Sequence, residues 1–339
     1  MGNWRTASRY AHMLRASGIN ASVFEPSAAD DALVSSGQRT VAVVLNAYRS
    51  ADQIALCVRA GIPVMVVMTG TDLYGNLKPS NAGQPDYRIA EQAMESAELI
   101  LALQSEASAE IQSRWPTLAD RVHTLIQTSP SRRPHAPEVT SHSKTVRFMI
   151  AAHFREEKDP RTAFIGFHEA FPEGWGQRAD GRRVPVRLIH VGGYRDKTLA
   201  QEMMRLSERY PGILIEGPRT HAETMRQMTH VHCLLQPSVS EGGALVIAEA
   251  VACRLPIIAS DIPAHRSQLG HDYPGLFPVR DTEKLAELMK RFIADPSLVD
   301  AMHRVHPRLQ AILATPAHER DELVRLVRRL AEHLPKEAS

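Results

Sequence analysis

Short apolar, β-rich runs alternate with helical stretches along most of this 339-residue chain, and that alternation narrows the fold more than any other feature. It is the pattern of a parallel sheet joined by crossover helices. In the first half the strand candidates are Thr40–Leu45, Pro63–Met68, Leu99–Leu103 and His123–Ile126, with helical patterns such as Ser50–Ala60 and Tyr87–Ala97 between them. The pattern restarts with Val146–Ala151, Val186–His190, Ile213–Glu216, Val231–Gln236 and Pro256–Ser260, separated by helices such as Thr220–Met228 and Leu245–Ala252. Clustered Pro and Ser residues in the stretch from Ser129 to Ser143 (SPSRRPHAPEVTSHS) mark a linker. The expected organisation is an N-terminal Rossmann-like domain over 1–130, a linker at 131–144 and a C-terminal Rossmann-like domain over 145–316. A last helix lies within 317–339; its stripe of Leu323, Val324, Leu326, Val327, Leu330 and Leu334 packs on a domain, and Arg325, Arg328 and Arg329 form a solvated face.

The chain opens on a Gly2-Asn3 turn and a helix-like run, Thr6–Ala16, followed by a β-like Ala21–Glu25. A doubly wound domain normally opens with a strand that feeds a glycine-bearing turn and then its first helix. Here the strand before the turn is missing, through a misassigned start or a true truncation. Its loss leaves ladder groups on neighbouring strands unpaired, at a cost of several kcal/mol.

Hydrophobic residues make up 43% and charged residues 23%, the composition of a soluble globular protein. A formal net charge of +2 gives no argument for nucleic acid or an anionic membrane as partner. There is no apolar run of membrane-helix length, and Met1-Gly2-Asn3-Trp4-Arg5 lacks a signal peptide's apolar segment, so a cytoplasmic location is expected. Cys57, Cys233 and Cys253, few and far apart, read as reduced, buried thiols. The 16 His residues include no H-E-x-x-H pattern, and the pairs His230/His232 and His303/His306 fall short of the three or four convergent ligands that zinc needs. Neither a metal nor a cofactor is expected.

Chemistry concentrates in Pro237–Ala264 (PSVSEGGALVIAEAVACRLPIIASDIPA), which reads as strand end, glycine turn, helix and strand. Gly242-Gly243 lets backbone approach a ligand closely, and the helix start beyond it presents N–H groups suited to a phosphate. Glu241 precedes the turn, and Glu249 lies eight residues later, about two helical turns along. Two acceptors so spaced can grip hydroxyls at two ends of a ligand with phosphates between them; alternatively Glu249 faces solvent. A second cluster is His153-Phe154-Arg155-Glu156-Glu157-Lys158-Asp159-Pro160, where Arg155 and Lys158 can converge on one diphosphate. The alternative is an ordinary charged turn. Gly192-Gly193 after a strand is weak evidence for a nucleotide, and Pro218-Arg219 is either an exposed loop or a border of the site.

The Pro237–Ala264 segment resembles the E-x7-E signature of GT-B glycosyltransferases of retaining family 4, including the flanking EAVACRLPIIASDIP. By that resemblance the chain is two Rossmann-like domains facing across a cleft. Glu249 would bind ribose hydroxyls and Glu241 the transferred sugar, while Gly242, Gly243 and Ala244 lend backbone amides. Leu245 stands where closer relatives have Asn, which changes contacts to the sugar or diphosphate. Arg155 and Lys158 would neutralise the leaving diphosphate, and Pro218 and Arg219 would border the base. The Gly2-Asn3 opening, TGTDLY (Thr69–Tyr74), HFREEKDP, SEGGA and LGHDYPGLFPV (Leu269–Val279), in this order, resemble the selenosugar synthases of selenoneine biosynthesis. That resemblance implies a UDP-sugar donor, UDP-N-acetylglucosamine or UDP-glucose, and selenophosphate as acceptor, with Gly2, Asn3, Gly70, Thr71 and Asp72 on the acceptor side. Selenophosphate is already an anion and needs orientation rather than a base, which Thr71 and backbone amides near Gly2 and Gly70 supply. Asp72, which would repel it, should bond backbone or a cation instead. The rivals are a family 4 enzyme acting on a hydroxyl acceptor and a non-catalytic UDP-sugar-binding protein.

Overall fold

The computed structural model describes residues 2–24, 40–130, 136–137, 143–313 and 315–334. The chain divides into two compact units. The first comprises Met1–Gln127, Glu241–Gly243 and Pro316–Ser339; the second comprises Thr128–Ser240 and Ala244–Thr315.

In the first unit, β1 (Ala42–Leu45), β2 (Val64–Met68), β3 (Leu99–Ala102) and β4 (Val122–Thr124) form a parallel sheet in that order. Strand β2 is apolar on both faces because both are covered, and the period of two sorts its side chains between two cores. Val64, Val66 and Met68 face α2 (Ala51–Arg59), α3 (Pro85–Glu95) and α4 (Ser105–Arg114) through Ile54, Met94 and Ile111. Met65 and Val67 face the other way, onto Tyr10 and Leu14 of α1 (Gly2–Ala16) and Leu323, Leu326 and Leu330 of the final helix (Pro316–Ala331). Each fully buried Leu or Val contributes roughly 1.5–3 kcal/mol, so Leu323→Ala on this second face costs about 2–5 kcal/mol.

Two expectations at the chain start are corrected. Gly2 and Asn3 belong to the first turn of α1 rather than to a turn before it. The first four N–H groups of a helix have no intrahelical partner, so Gly there forfeits little, and nothing in Gly2–Arg5 breaks the helix. Ala21–Phe24 carries no strand, and Glu25 lies outside the described residues. Only part of the proline-bearing linker is described: the Ser129 N–H donates to the Leu313 carbonyl at 2.8 Å, and the Ala136 N–H to the Cys253 carbonyl at 2.8 Å. Residues 131–135 and 138–142 lie outside the description.

The second unit is a doubly wound sheet. Its strands are β5 (Val146–Ala151), β6 (Trp175–Gln177), β7 (Arg183–Val191), β8 (Ile213–Gly217), β9 (Cys233–Gln236), β10 (Ile257–Ser260) and β11 (Leu276–Phe277). Their order is β11-β10-β9-β5-β7-β6, with β8 also paired to β7. All pairs are parallel except β6–β7. The helices are α5 (Pro160–Ala170), α6 (Lys197–Arg209), α7 (His221–Met228), α8 (Leu245–Ala252), α9 (Pro263–Leu269), α10 (Thr282–Ala294) and α11 (Pro296–Leu313); the final helix of the chain, Pro316–Ala331, is α12. Strands β6 and β11 escape sequence reading because one is three residues and the other two, too short for a periodic signal. The β9 run starts at Cys233, two residues later than the expected Val231–Gln236. No described helix is long and apolar enough to cross a membrane.

The chain leaves β5 toward β7 on one side, and β9 returns to the other side of β5. That reversal is the switch point at which open α/β sheets bind ligands, outside the carboxyl ends of the strands.

Candidate active site

Two segments emerge at the switch point of the second unit: Ala152–Asp159 after β5 and Pro237–Ser240 after β9. They are tied together by the Val239 N–H donating to the Glu157 carbonyl at 2.9 Å.

Local chemistry fixes the first segment. Asp159 sits at φ 43°, a left-handed conformation that Asp tolerates, and caps α5 by accepting from the Thr162 N–H at 3.4 Å and hydroxyl at 2.6 Å. Pro160 follows at the first helical position, where its missing N–H costs nothing. Glu156 pairs with Arg161 at 2.6 Å, and Arg161 also grips Glu202 through two bonds of 2.6 and 2.7 Å. Glu157 contacts Arg155 at 3.3 Å. Arg155 and Lys158 are both half-buried on this braced turn.

The preceding His153 accepts the Gly193 N–H on Nδ1 at 2.7 Å. Burial, followed by the charges of Arg155, Arg195 and Lys158, pushes its pKa down to about 4, so it is neutral at pH 7 with its proton on Nε2. His190, at 1% exposure, stacks on Phe154 with ring centroids 3.9 Å apart and is likewise pushed to about 4 by burial. Gly192 is obligatory: an added Cβ would overlap the Ala152 carbonyl. These contacts adjoin the Arg155–Lys158 turn; the sequence reading names His153 and Gly192-Gly193 and misses His190, a lone His that carries no pattern.

Glu249 does not face solvent. It lies on α8 at 3% exposure, with Oε1 3.0 Å from Nε2 of His221, the first residue of α7. His221 is placed by a full capping box, Thr220 and Glu223 bonding each other's backbone N–H. Leu245 opens α8, and the Ala244 carbonyl before it accepts from Gln268 at 3.3 Å. Pro218 and Arg219 are exposed on the loop after β8, with Arg219 3.5 Å from Glu216. Glu241, Gly242 and Gly243 group with the first unit. There Gly70, at φ 93°, backs onto Gly242 so closely that a Cβ on either would overlap the other's backbone, while Gly243 lies against Leu103.

In the first unit, Asp72 is fully buried and accepts backbone N–H groups from Ala47 (3.1 Å), Thr69 (3.0 and 3.2 Å) and Leu73 (3.0 Å). Burial raises its pKa and these bonds oppose the rise. It fixes the loop from inside rather than facing a ligand. Asn46, missed in sequence, sits at φ 77° and donates through Nδ2 to the hydroxyls of Thr69 (2.8 Å) and Thr71 (2.9 Å). Gly2 and Asn3 lie in α1, with Asn3 half-buried.

Residues 146–295 match the family model described as Glycosyl transferases group 1. Glycosyltransferase 1 domain-containing protein 1 of Xenopus tropicalis is 22% identical over 316 residues, 88% of this chain and 85% of that protein. The solved structure of Anabaena HepE in complex with UDP and glucose superposes with a TM-score of 0.63 at 16% identity, covering 86% of this chain and 78% of HepE. S. aureus TarM, solved in a complex that includes UDP, gives 0.60 at 12% identity over 80% of this chain, which spans about half (51%) of the TarM chain. The chain has the GT-B fold, and its residues 146–295 match the group 1 glycosyltransferase family model.

Proposed function

We propose that the protein transfers a sugar from a UDP-sugar, with the donor held mainly by the second unit. The observation that carries this reading is the buried Glu249 carboxylate, oriented by His221 on the helix that follows the Gly242-Gly243 turn. Glu249 binds the ribose hydroxyls, Glu241 the hydroxyls of the transferred sugar, and the backbone of Gly242 to Leu245 the sugar and diphosphate. Pro218 and Arg219 border the base. Arg155 and Lys158 neutralise the diphosphate as the anomeric C–O bond breaks, where fixed positive charge lowers the barrier most. The UDP bound in the HepE and TarM structures supports the choice of nucleotide. Calorimetric titration of the protein with UDP tests the donor side: micromolar binding that falls at least about 10-fold in Glu249→Ala is expected.

For the acceptor, selenophosphate is the favoured candidate. A hydroxyl acceptor profits from a nearby base, and Asp72, the carboxylate of the Gly70-Thr71-Asp72 loop, is committed to backbone N–H groups. An acceptor that is already anionic needs no base. In the transfer a selenium lone pair forms the C–Se bond, the C–O electron pair leaves with UDP, and the phosphoryl group stays on selenium. Mass spectrometry of products formed from UDP-N-acetylglucosamine or UDP-glucose with and without selenophosphate tests this step. UDP release that needs another acceptor and yields no selenium-bearing sugar contradicts it.

A further inference from the structure

The first unit contains a cavity of about 540 Å³, within the range of about 300–1,000 Å³ usual for small-molecule sites. Tyr48, Arg49, Thr71, Gly75, Asn81 and Asp86 are among its lining residues. Its floor is stitched together: Asp72 bonds the backbone of both the Ala47 and Thr69 loops, and Asn46 bonds both threonine hydroxyls.

The Asn46 amide sets the polarity of the floor. Its Oδ1 accepts the Arg49 N–H at 2.8 Å, which fixes the amide so that both Nδ2 hydrogens go to Thr69 and Thr71. The Thr71 hydroxyl therefore receives a hydrogen bond, and its own proton is left to donate elsewhere, on a residue that lines the cavity. Arg49 lines it too, with an exposed guanidinium that forms no ion pair among the described residues. Asp86, the carboxylate among the lining residues, is exposed. A guanidinium and an oriented hydroxyl donor on a braced floor suit a phosphate-type oxyanion.

We infer that this cavity is the acceptor site and that Arg49 and the Thr71 hydroxyl bind a phosphate-type oxyanion of the acceptor. The inference rests on the proposed glycosyltransferase reading and adds to it the residues that select an anionic acceptor. Two sources share that chemistry, selenophosphate itself and a phosphorylated sugar.

The test is binding of orthophosphate to the full-length protein, read by phosphorus NMR line broadening, beside calorimetric titration with UDP. Arg49→Gln weakens orthophosphate binding at least about 10-fold, as expected for loss of a charged hydrogen-bonding partner, and leaves UDP affinity unchanged. Thr71→Val and Gly75→Leu weaken it as well; a Cβ at Gly75 meets nothing within 4 Å, so that variant fills space without repacking the core. In turnover, a raised KM in Arg49→Gln for selenophosphate or for glucose 6-phosphate, whichever supports sugar transfer, identifies the source. UDP binding with orthophosphate binding absent, or indifferent to Arg49→Gln and Thr71→Val, overturns the inference and leaves the glycosyltransferase reading standing. Failure of the wild-type protein to bind UDP overturns that reading itself.

Discussion

The Nε2 atom of His221 lies 3.0 Å from Oε1 of Glu249, joining the first residue of α7 to a carboxylate that is only 3% exposed on α8. The contact holds a buried acceptor in one orientation, which is what gripping a pair of ribose hydroxyls requires. His221→Ala should therefore raise the KM for the UDP-sugar about 3- to 10-fold with a smaller effect on kcat. His221→Gln, which retains a donor, should recover part of the loss. Steady-state kinetics on the two variants checks the split.

Lys158 and Arg155 stand on a turn braced by the Asp159 cap and the Glu156–Arg161–Glu202 network. If they neutralise the leaving diphosphate, their removal acts on the transition state more than on donor binding. Lys158→Ala should lower kcat about 100-fold or more while UDP affinity changes several-fold at most. Single-turnover UDP release measures the first effect and calorimetry the second.

Asp72 supports its loop through several backbone N–H groups. Asp72→Ala strands them in a buried setting, and the expected loss is about 2–4 kcal/mol of stability. Asp72→Asn turns an NH2 group toward at least one of those donors and should also destabilise. Urea unfolding followed by circular dichroism reads both; no loss of stability in either would contradict the bracing role.

His153, His190 and His232 each have a folded pKa of about 4, burial being the largest cause for all three. Between that value and the ordinary 6.5 the unfolded chain binds more protons than the native protein. Stability should therefore be full above about pH 6.5 and fall as pH drops toward 4, by up to about 1.4 kcal/mol per pH unit for each His. His232, whose Nδ1 accepts the Arg147 N–H at 3.1 Å, gives the cleanest probe. In His232→Asn the thermal midpoint should fall less steeply with acid, whatever its starting value.

Much of the second unit is legible in its sequence. Strands β5 and β10 fall within one residue of the mostly apolar runs Val146–Ala151 and Pro256–Ser260 read from the sequence, and the E-x7-E spacing places Glu249 on α8 directly. What periodicity cannot show is which neighbour a polar side chain meets. Glu249 sits among Ile247, Ala248 and Ala250, a setting that fits burial and exposure equally, and the structure decides for burial against His221, 28 positions away in sequence. Asn46 and His190 are lone polar residues whose meaning lies in contacts of 23 and 36 positions, to Thr69 and Phe154. The Gly2-Asn3 turn and the Ala21–Glu25 strand are misread because a template for doubly wound domains is imposed on a stretch whose own residues continue the helix and then carry no strand over Ala21–Phe24.

The most direct test of sugar transfer is product analysis. Purified protein is incubated with UDP-N-acetylglucosamine or UDP-glucose, with and without selenophosphate, and products are resolved by mass spectrometry. The account predicts a selenium-bearing sugar and stoichiometric UDP in the complete mixture alone, both lost in Glu241→Ala and Lys158→Ala. Absence of UDP release and of a selenium-bearing sugar in the complete mixture would contradict it, whether or not UDP still binds.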